Sequence, residues 1–290
     1  MKTVTKIHGG KYYQAERIIA LMPPPTTWHL YREPFAGGLS VLLELDLTAF
    51  KTKDSKAGLS ETANDIDGDL TNFWEVLRSP ETFPEFQRRC VFTPFSEKAF
   101  RDAQHELTSP DPITRAVAFF VLVRQSQTGH RREFSVPTQD RNRRMMHADV
   151  SAWLSAVEAL PAVHERLKRV EIRNMDAMKF IRRYDHPEAV FYCDPPYMHE
   201  TRCNGGGEYA HEMSNDQHAE LLATLSKLKG RFLLSGYRSQ LYDDVASKHG
   251  WNRADYPVKN NVSRKATKDV KIESVWTNFG TRITPPVTPR

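Results

Sequence analysis

Asp194, Pro195, Pro196 and Tyr197 carry the most specific chemistry in the chain. They follow "EAVFYC", an apolar run of strand length, and a charged stretch comes after them. Two consecutive prolines fix φ and remove two backbone donors, so the carbonyls of Asp194 and Pro195 stay free to face a ligand. A carboxylate beside a fixed carbonyl suits an amino group with two N–H donors, and Tyr197 adds a face for a flat ring. Those are the needs of an exocyclic amine on a nucleobase. Its lone pair is delocalised into the ring, but two acceptors holding both hydrogens favour a more tetrahedral nitrogen whose lone pair points at an electrophile. The same tetrapeptide also makes a rigid turn with an N-capping Asp, and by itself it does not separate the two readings.

The flanking pattern supplies the elements that must hold this turn. Ala15, Ile18, Ile19 and Met22 share helical spacing up to Pro23-Pro24-Pro25. "WHLYREPF" then reads as a strand, "AGGL" as a turn, "SVLLEL" as a helix, and "ETANDIDGDL" as an acidic turn before a helix through "FWEVL". From about Ser79 to Arg169 the signals are helical with no strand among them, and "SAWLSAVEAL" and "PAVHERLKRV" read as two pieces. Alternation returns at "RVEIRNMDAM" and "EAVFYC". A capping box of Ser214 and Gln217 opens the next helix, with Gly230 at its stop, before the strand "RFLLSGY". After a helix to about His249, strands near "RADYPV" and "VKIESVWTNF" are joined by too few residues for a crossover helix and are expected to pair antiparallel. The series predicts an open α/β sheet from residues 1–74 and 169–290, split by a helical insert at 75–168. Ligands bind such sheets beyond the carboxyl ends of the strands, where both "EPFAGG" and "DPPY" stand.

Composition narrows the class. The chain has 290 residues, 39% of them hydrophobic, which is enough for a large buried core. No apolar run reaches the roughly 18 to 20 residues of a membrane span, and "MKTVTKIHGGKYY" lacks the apolar region of a secretory signal. A soluble, cytoplasmic protein without a membrane partner is expected. Cys90, Cys193 and Cys203 form no C-x-x-C pair and are expected as reduced thiols, which leaves the glycosylation match at Asn261 without consequence. His199, His211 and Glu212 look metal-like, yet no cysteine pair completes a zinc site. They read as a lid or DNA-facing loop hinged at Gly205-Gly206-Gly207, and no metal is expected. A net charge of +5 and a pI near 9.0 are compatible with a polyanionic partner. The distribution is more telling, because Arg124, Arg131, Arg132, Arg141, Arg143 and Arg144 crowd into one stretch. The tail "TRITPPVTPR" reads as disordered.

In its order of motifs the chain resembles the Dam-like DNA adenine-N6 methyltransferases, in which D-P-P-Y is the catalytic motif. "HGGK" at 8–11 looks like the N-terminal G-G-K motif, and "EPFAGGLSV" like the E-P-F-x-G-x-G-x-V cofactor loop. "NDID" at 64–67 looks like the acidic turn that holds the cofactor ribose, and "NMDAM" at 174–178 resembles the segment lining the cofactor adenine. "EFSVP" at 133–137 and "ESVWTNF" at 273–279 also have look-alikes. The resemblance implies a Rossmann-like class I methyltransferase sheet with a C-terminal antiparallel strand, S-adenosyl-L-methionine as cofactor, and double-stranded DNA as partner. It implies catalytic roles for Asp194, Pro195, Pro196 and Tyr197, and cofactor contacts for Lys11, Glu33, Phe35, Ala36, Gly37, Gly38, Asp65, Asp176 and Asp194. Two departures stand out: Leu39 replaces a frequent second glycine, and Ile7 an aromatic that often precedes G-G-K.

The residues agree with that implication at several points. A loop carrying Glu33, with Asp65 further on, is acidic and lacks G-x-G-x-x-G, so it would serve a dinucleotide pyrophosphate poorly. A sulfonium with an amino-acid tail and a ribose diol fits better, and Asp65 can accept from both ribose hydroxyls. By analogy the insert is the target-recognition region, where the arginine cluster meets phosphates or guanine edges, and Lys259, Arg264 and Lys265, with Lys268, are further DNA contacts. The same turn would also serve cytosine N4, an RNA adenine or a glutamine amide, and an idle DNA-binding regulator would keep the fold. The resemblance points to a bacterial or phage source, admits a companion restriction endonuclease as partner, and leaves the oligomeric state open.

Overall fold

A computed structural model describes residues 1–7, 10–50, 58–136, 142–201, 211–259 and 270–280. In chain order these form α1 (Ala15–Ala20), β1 (Leu30–Glu33), α2 (Ser40–Glu44), β2 (Ser60–Asn64), α3 (Gly68–Arg78), α4 (Phe83–Phe92), α5 (Glu97–Glu106) and α6 (Pro112–Gln125). The short strands β3 (Asn142–Arg143) and β4 (Met146–His147) precede α7 (Ala148–Leu167). Then come β5 (Val170–Arg173), α8 (Ala177–Tyr184), β6 (Ala189–Cys193), α9 (Asn215–Leu225), β7 (Arg231–Gly236), α10 (Gln240–His249), β8 (Asn252–Lys259) and β9 (Val270–Thr277).

Seven strands make one sheet in the order β5-β2-β1-β6-β7-β9-β8. β5, β2, β1, β6 and β7 run parallel to one another, while β9 runs antiparallel between β7 and β8. This is the expected open sheet of the Rossmann-like class I type with a C-terminal antiparallel strand. The chain steps outward from β1 on one side and then returns to start the other side at β6. Their carboxyl ends therefore splay apart, and Glu33 and Asp194 stand at the two lips of that crevice.

The sheet is covered on both faces, as an unbroken apolar strand requires. All five residues of β6 are buried. Ala189, Phe191 and Cys193 enter the core formed with α8, α9 and α10, while Val190 and Tyr192 enter the opposite core. That second core is continuous through Phe73 and Trp74 of α3 to Phe119 and Phe120 of α6 and Trp153 of α7. The helical block thus packs on the sheet through shared apolar side chains. A buried ion pair adds to it, with Glu61 of β2 accepting from Arg166 of α7.

Three local expectations are corrected. α7 is one helix of 20 residues that runs through Pro161, rather than two pieces. Leu160, Val163 and Leu167 on its buried face are fully enclosed, and that packing offsets the roughly 3 kcal/mol that an internal proline costs. β3 and β4 interrupt a region with no strand signal, because two-residue strands are too short for a period. Gly230 does not stop α9, which ends at Leu225. It lies where a Cβ would come 2.8 Å from the His186 carbonyl, at the entry to β7. The Ser214–Gln217 capping box is present as expected. Cys90 and Cys193 are buried free cysteines, whereas Cys203, Asn261 and the tail at 281–290 lie outside the described residues. Among the described residues no helix is long and apolar enough to cross a membrane.

Candidate active site

A cavity of about 680 Å³ opens at the crevice between β1 and β6. Four strand ends build it. β1 delivers Glu33 and the loop Pro34–Gly38, β2 delivers Asp65, Ile66 and Asp67, the turn after β5 delivers Asp176, and β6 delivers Asp194, Pro195 and Pro196. Lys11 and Gly10 close one side, and Gly129, His130, Arg131 and Arg132 of the loop after α6 close another. Residues that the sequence spreads over nearly two hundred positions thus line one space.

Asn64, the buried last residue of β2, locks three of these loops together. Its amide donates to the carbonyls of Pro34 and Met175, both at 3.0 Å, and its Oδ1 accepts from the Met175 backbone. Asp65 accepts from Gly37 N–H at 2.9 Å and Asp67 N–H at 3.0 Å. Asp67 and Asp176 cap the N-termini of α3 and α8. Gly37 has φ 47°, in the left-handed region. Leu39 follows with φ 54°, a conformation glycine adopts freely and leucine only at a cost of about 1–2 kcal/mol. Its side chain is fully buried in the core, so here packing takes the place of the glycine of the resembled motif.

The acids are unevenly ionised. Burial pushes the Glu33 carboxyl up to about 8 against the hydrogen bond from Tyr31, so it is mostly protonated at neutral pH. Burial also raises Asp65, opposed by its two backbone donors. Asp194 is pushed up to about 6 by burial, with Lys11 pulling the other way. Lys11 Nζ lies 2.9 Å from Asp194 Oδ1 and 3.4 Å from Glu273 Oε1 of β9.

Tyr197 stands behind the turn with little exposure. Its hydroxyl donates to Glu273 Oε1, its ring receives the Lys11 ammonium 4.8 Å from the centroid, and the Tyr237 ring meets it edge-on at 4.8 Å. Neither Glu273 nor Tyr237 is among the residues expected from the sequence. A lone acid in the apolar strand "VKIESVWT" was the available signal for Glu273.

The arginines do not act as one patch. Arg131, with φ 63°, turns to the cavity and pairs with Asp67 at 3.2 Å, and Arg132 lines the same cavity. Arg124 donates to the Ala152 carbonyl, and burial lowers its guanidinium to about 10. Arg143 is exposed on β3, while Arg144 in the hairpin turn pairs with Glu158 at 3.2 Å. Lys259 ends β8; Arg141, Arg264, Lys265, Lys268 and Gly205-Gly206-Gly207 lie outside the described residues. His211 and Glu212 line the cavity, and His199 Nε2 is 3.6 Å from Glu212 Oε2. Among the described residues no group of three or more His, Cys, Asp or Glu is placed to hold a metal ion.

Residues 8–280 match the model of the D12 class N6 adenine-specific DNA methyltransferases. No curated protein matches the chain. Among solved structures, precorrin 8W decarboxylase of Methanobacterium thermoautotrophicum is similar over 96% of this chain and 95% of its own, at 10% identity and a TM-score of 0.40. A mutant of Spodoptera frugiperda DNMT2 is similar over 46% of this chain and 43% of its own, at 11% identity and a TM-score of 0.26. The family model spans nearly the whole chain and includes all four strand ends that build the cavity, and the chain belongs to the D12 class N6 adenine-specific DNA methyltransferase family.

Proposed function

We propose that the protein transfers a methyl group from S-adenosylmethionine to N6 of an adenine flipped out of double-stranded DNA. The observation that carries this reading is the convergence of Asp194-Pro195-Pro196 with the acidic loop ends of β1, β2 and β5 on one cavity. The cavity suits the cofactor: it offers carboxylates for a ribose diol and a cationic centre, a glycine loop for close approach, and apolar walls at Phe35, Ile66 and Met178. Asp65 would accept from the ribose hydroxyls, Asp176 would face the adenine amine, and Glu33 the cationic amino-acid end. When bound, the cofactor supplies an activated methyl group. Asp194 and the Pro195 carbonyl would accept the two N6 hydrogens and aim the nitrogen lone pair, and the proton leaves to solvent after attack.

An adenine inside a duplex cannot reach this turn, so the base must leave the stack. Tyr197 would receive it, contributing roughly 1–3 kcal/mol by stacking. Tyr197→Ala should raise the DNA-side KM by about tenfold or more at that magnitude and lower turnover, with the cofactor KM little changed. Unchanged steady-state constants for DNA would remove Tyr197 from the base site. A duplex with 2-aminopurine at the methylated position tests flipping itself. Its fluorescence should change when the protein binds, and a signal like that of free duplex would contradict extrusion.

Residues 75–168 would form the target-recognition part and 1–74 with 169–290 the catalytic part. The hairpin of β3 and β4 supports this. Arg144 and Met145 hold left-handed φ of 55° and 60° at its turn, Met145 is fully exposed, and Arg143 flanks it. Holding two non-glycine residues there costs about 1–2 kcal/mol each and presents an apolar tip next to Arg143 and Arg144, suited to a groove lined by phosphates.

Glu33 gives a test of the cofactor assignment that needs no turnover. A carboxyl at about 8 is protonated at pH 7, and a cation placed beside it favours the ionised form. Glu33 is therefore expected to release close to one proton when S-adenosylmethionine binds at pH 7. Calorimetry in buffers of different ionisation enthalpy reads that number. Glu33→Gln should abolish it, and a wild-type value of zero would contradict the contact.

A further inference from the structure

We propose that Glu273 is a positioning residue that fixes the base-stacking ring of Tyr197 and sets the charge balance of the Asp194 turn. The inference rests on the methyl-transfer reading above. Glu273 lies in β9, on the strand that enters the sheet antiparallel, and is 2% exposed among apolar neighbours. Burying a carboxylate there is costly unless it is paired and its oxygens accept hydrogen bonds.

The partners it has come from the reacting region rather than from the core. Oε1 accepts from the Tyr197 hydroxyl and lies 3.4 Å from Lys11 Nζ, and Oε2 accepts from the Gln14 amide at 2.8 Å. The Tyr256 hydroxyl in turn donates to Gln14 Oε1. One carboxylate thus ties the N-terminal segment, the turn after β6 and the final hairpin together.

Two consequences follow. The Tyr197 ring is held by its hydroxyl end, so its orientation is set before a base arrives and need not be ordered on binding. Lys11 also stands between two carboxylates, so a single ammonium serves both Asp194 and Glu273. One negative charge is left over beside the oxygen that would accept from the amine. The groups facing Asp194 are Lys11, Glu33 of β1, Glu273 of β9 and the phenols Tyr192, Tyr197, Tyr242 and Tyr256, with the neutral Cys193 thiol. Of these, Glu273 is the neighbour whose negative charge holds the Asp194 proton on, while Glu33 is largely protonated.

The experiment compares wild type, Glu273→Gln, Tyr197→Phe and the double variant in methylation of unmethylated genomic DNA, with kcat followed against pH. Each single variant is expected to lower kcat about tenfold, the order of one lost charge-assisted hydrogen bond, with the cofactor KM within about twofold. The double variant should lose less than the product of the two singles, because Glu273→Gln leaves the Tyr197 hydroxyl only a neutral acceptor and Tyr197→Phe removes that hydroxyl, so both act on one contact. Glu273→Gln alone should move the acid limb of kcat to lower pH, since it removes a negative neighbour that holds the Asp194 proton on. A purely structural residue would lower thermal stability and leave that limb in place. Unchanged kcat in both single variants, or an unmoved acid limb in Glu273→Gln, overturns the proposal while wild-type activity upholds the reading beneath it. If Glu273→Gln does not fold, Tyr197→Phe still decides: wild-type kcat there overturns the proposal. A wild type that methylates no DNA overturns the reading and the proposal together.

Discussion

Asp194→Ala is expected to lower methyl transfer to adenine by about a thousandfold, or about 4 kcal/mol, while the protein stays folded and still binds cofactor. The size follows from the role. The nitrogen must be held by two acceptors at once for its lone pair to face the methyl group, and alanine removes the stronger of the two. Folding should be nearly indifferent. Burial already disfavours the ionised Asp194, and Lys11 keeps Glu273 as a partner when Asp194 is lost. Steady-state kinetics with a thermal melt separates the two effects. A variant within tenfold of wild type would mean that Asp194 caps a turn and does not orient the amine.

Glu61→Ala should act in the opposite way, lowering stability by about 3–5 kcal/mol through a residue outside the cavity walls. Glu61 is buried in β2, accepts from Arg166 at 2.8 Å and lies 3.2 Å from Arg169 Nε. Arg166 is itself buried and also donates to the Leu42 carbonyl. Removing the carboxylate leaves a guanidinium enclosed between α7 and the sheet with no counter-charge. The melting temperature should fall by roughly 10 °C for a chain of this size. Replacing Arg166 by Met in the same protein should recover much of the loss, because a buried pair is costly mainly when half of it is removed. A melt unchanged by Glu61→Ala would show that water reaches the pair.

The legible parts of this protein were those written locally. The strand "AVFYC" carries no charged residue, so its burial on both faces and its abrupt end at Asp194 could be read without a structure. The same holds for the acidic turn after β2, where Asp65 and Asp67 precede a helix, and for the capping box at Ser214. The unread parts depend on what a residue meets across the chain. Nothing near Lys11 says that it will sit 2.9 Å from a carboxylate at position 194, or that Glu273 will accept from Tyr197. Arginine spacing does not fix direction either, so Arg131 turns to the cavity and Arg124 to the Ala152 carbonyl while Arg143 remains exposed. Pro161 and Leu39 show the same limit from the side of propensity, because tertiary packing holds each in a conformation its own preferences oppose.

Incubating the protein and Asp194→Ala with methyl-labelled S-adenosylmethionine and unmethylated genomic DNA, then digesting the DNA to nucleosides, tests the central claim most directly. The account predicts label in N6-methyldeoxyadenosine with the wild type and its loss in the variant. Label in another nucleoside, or label that persists in Asp194→Ala, would contradict it.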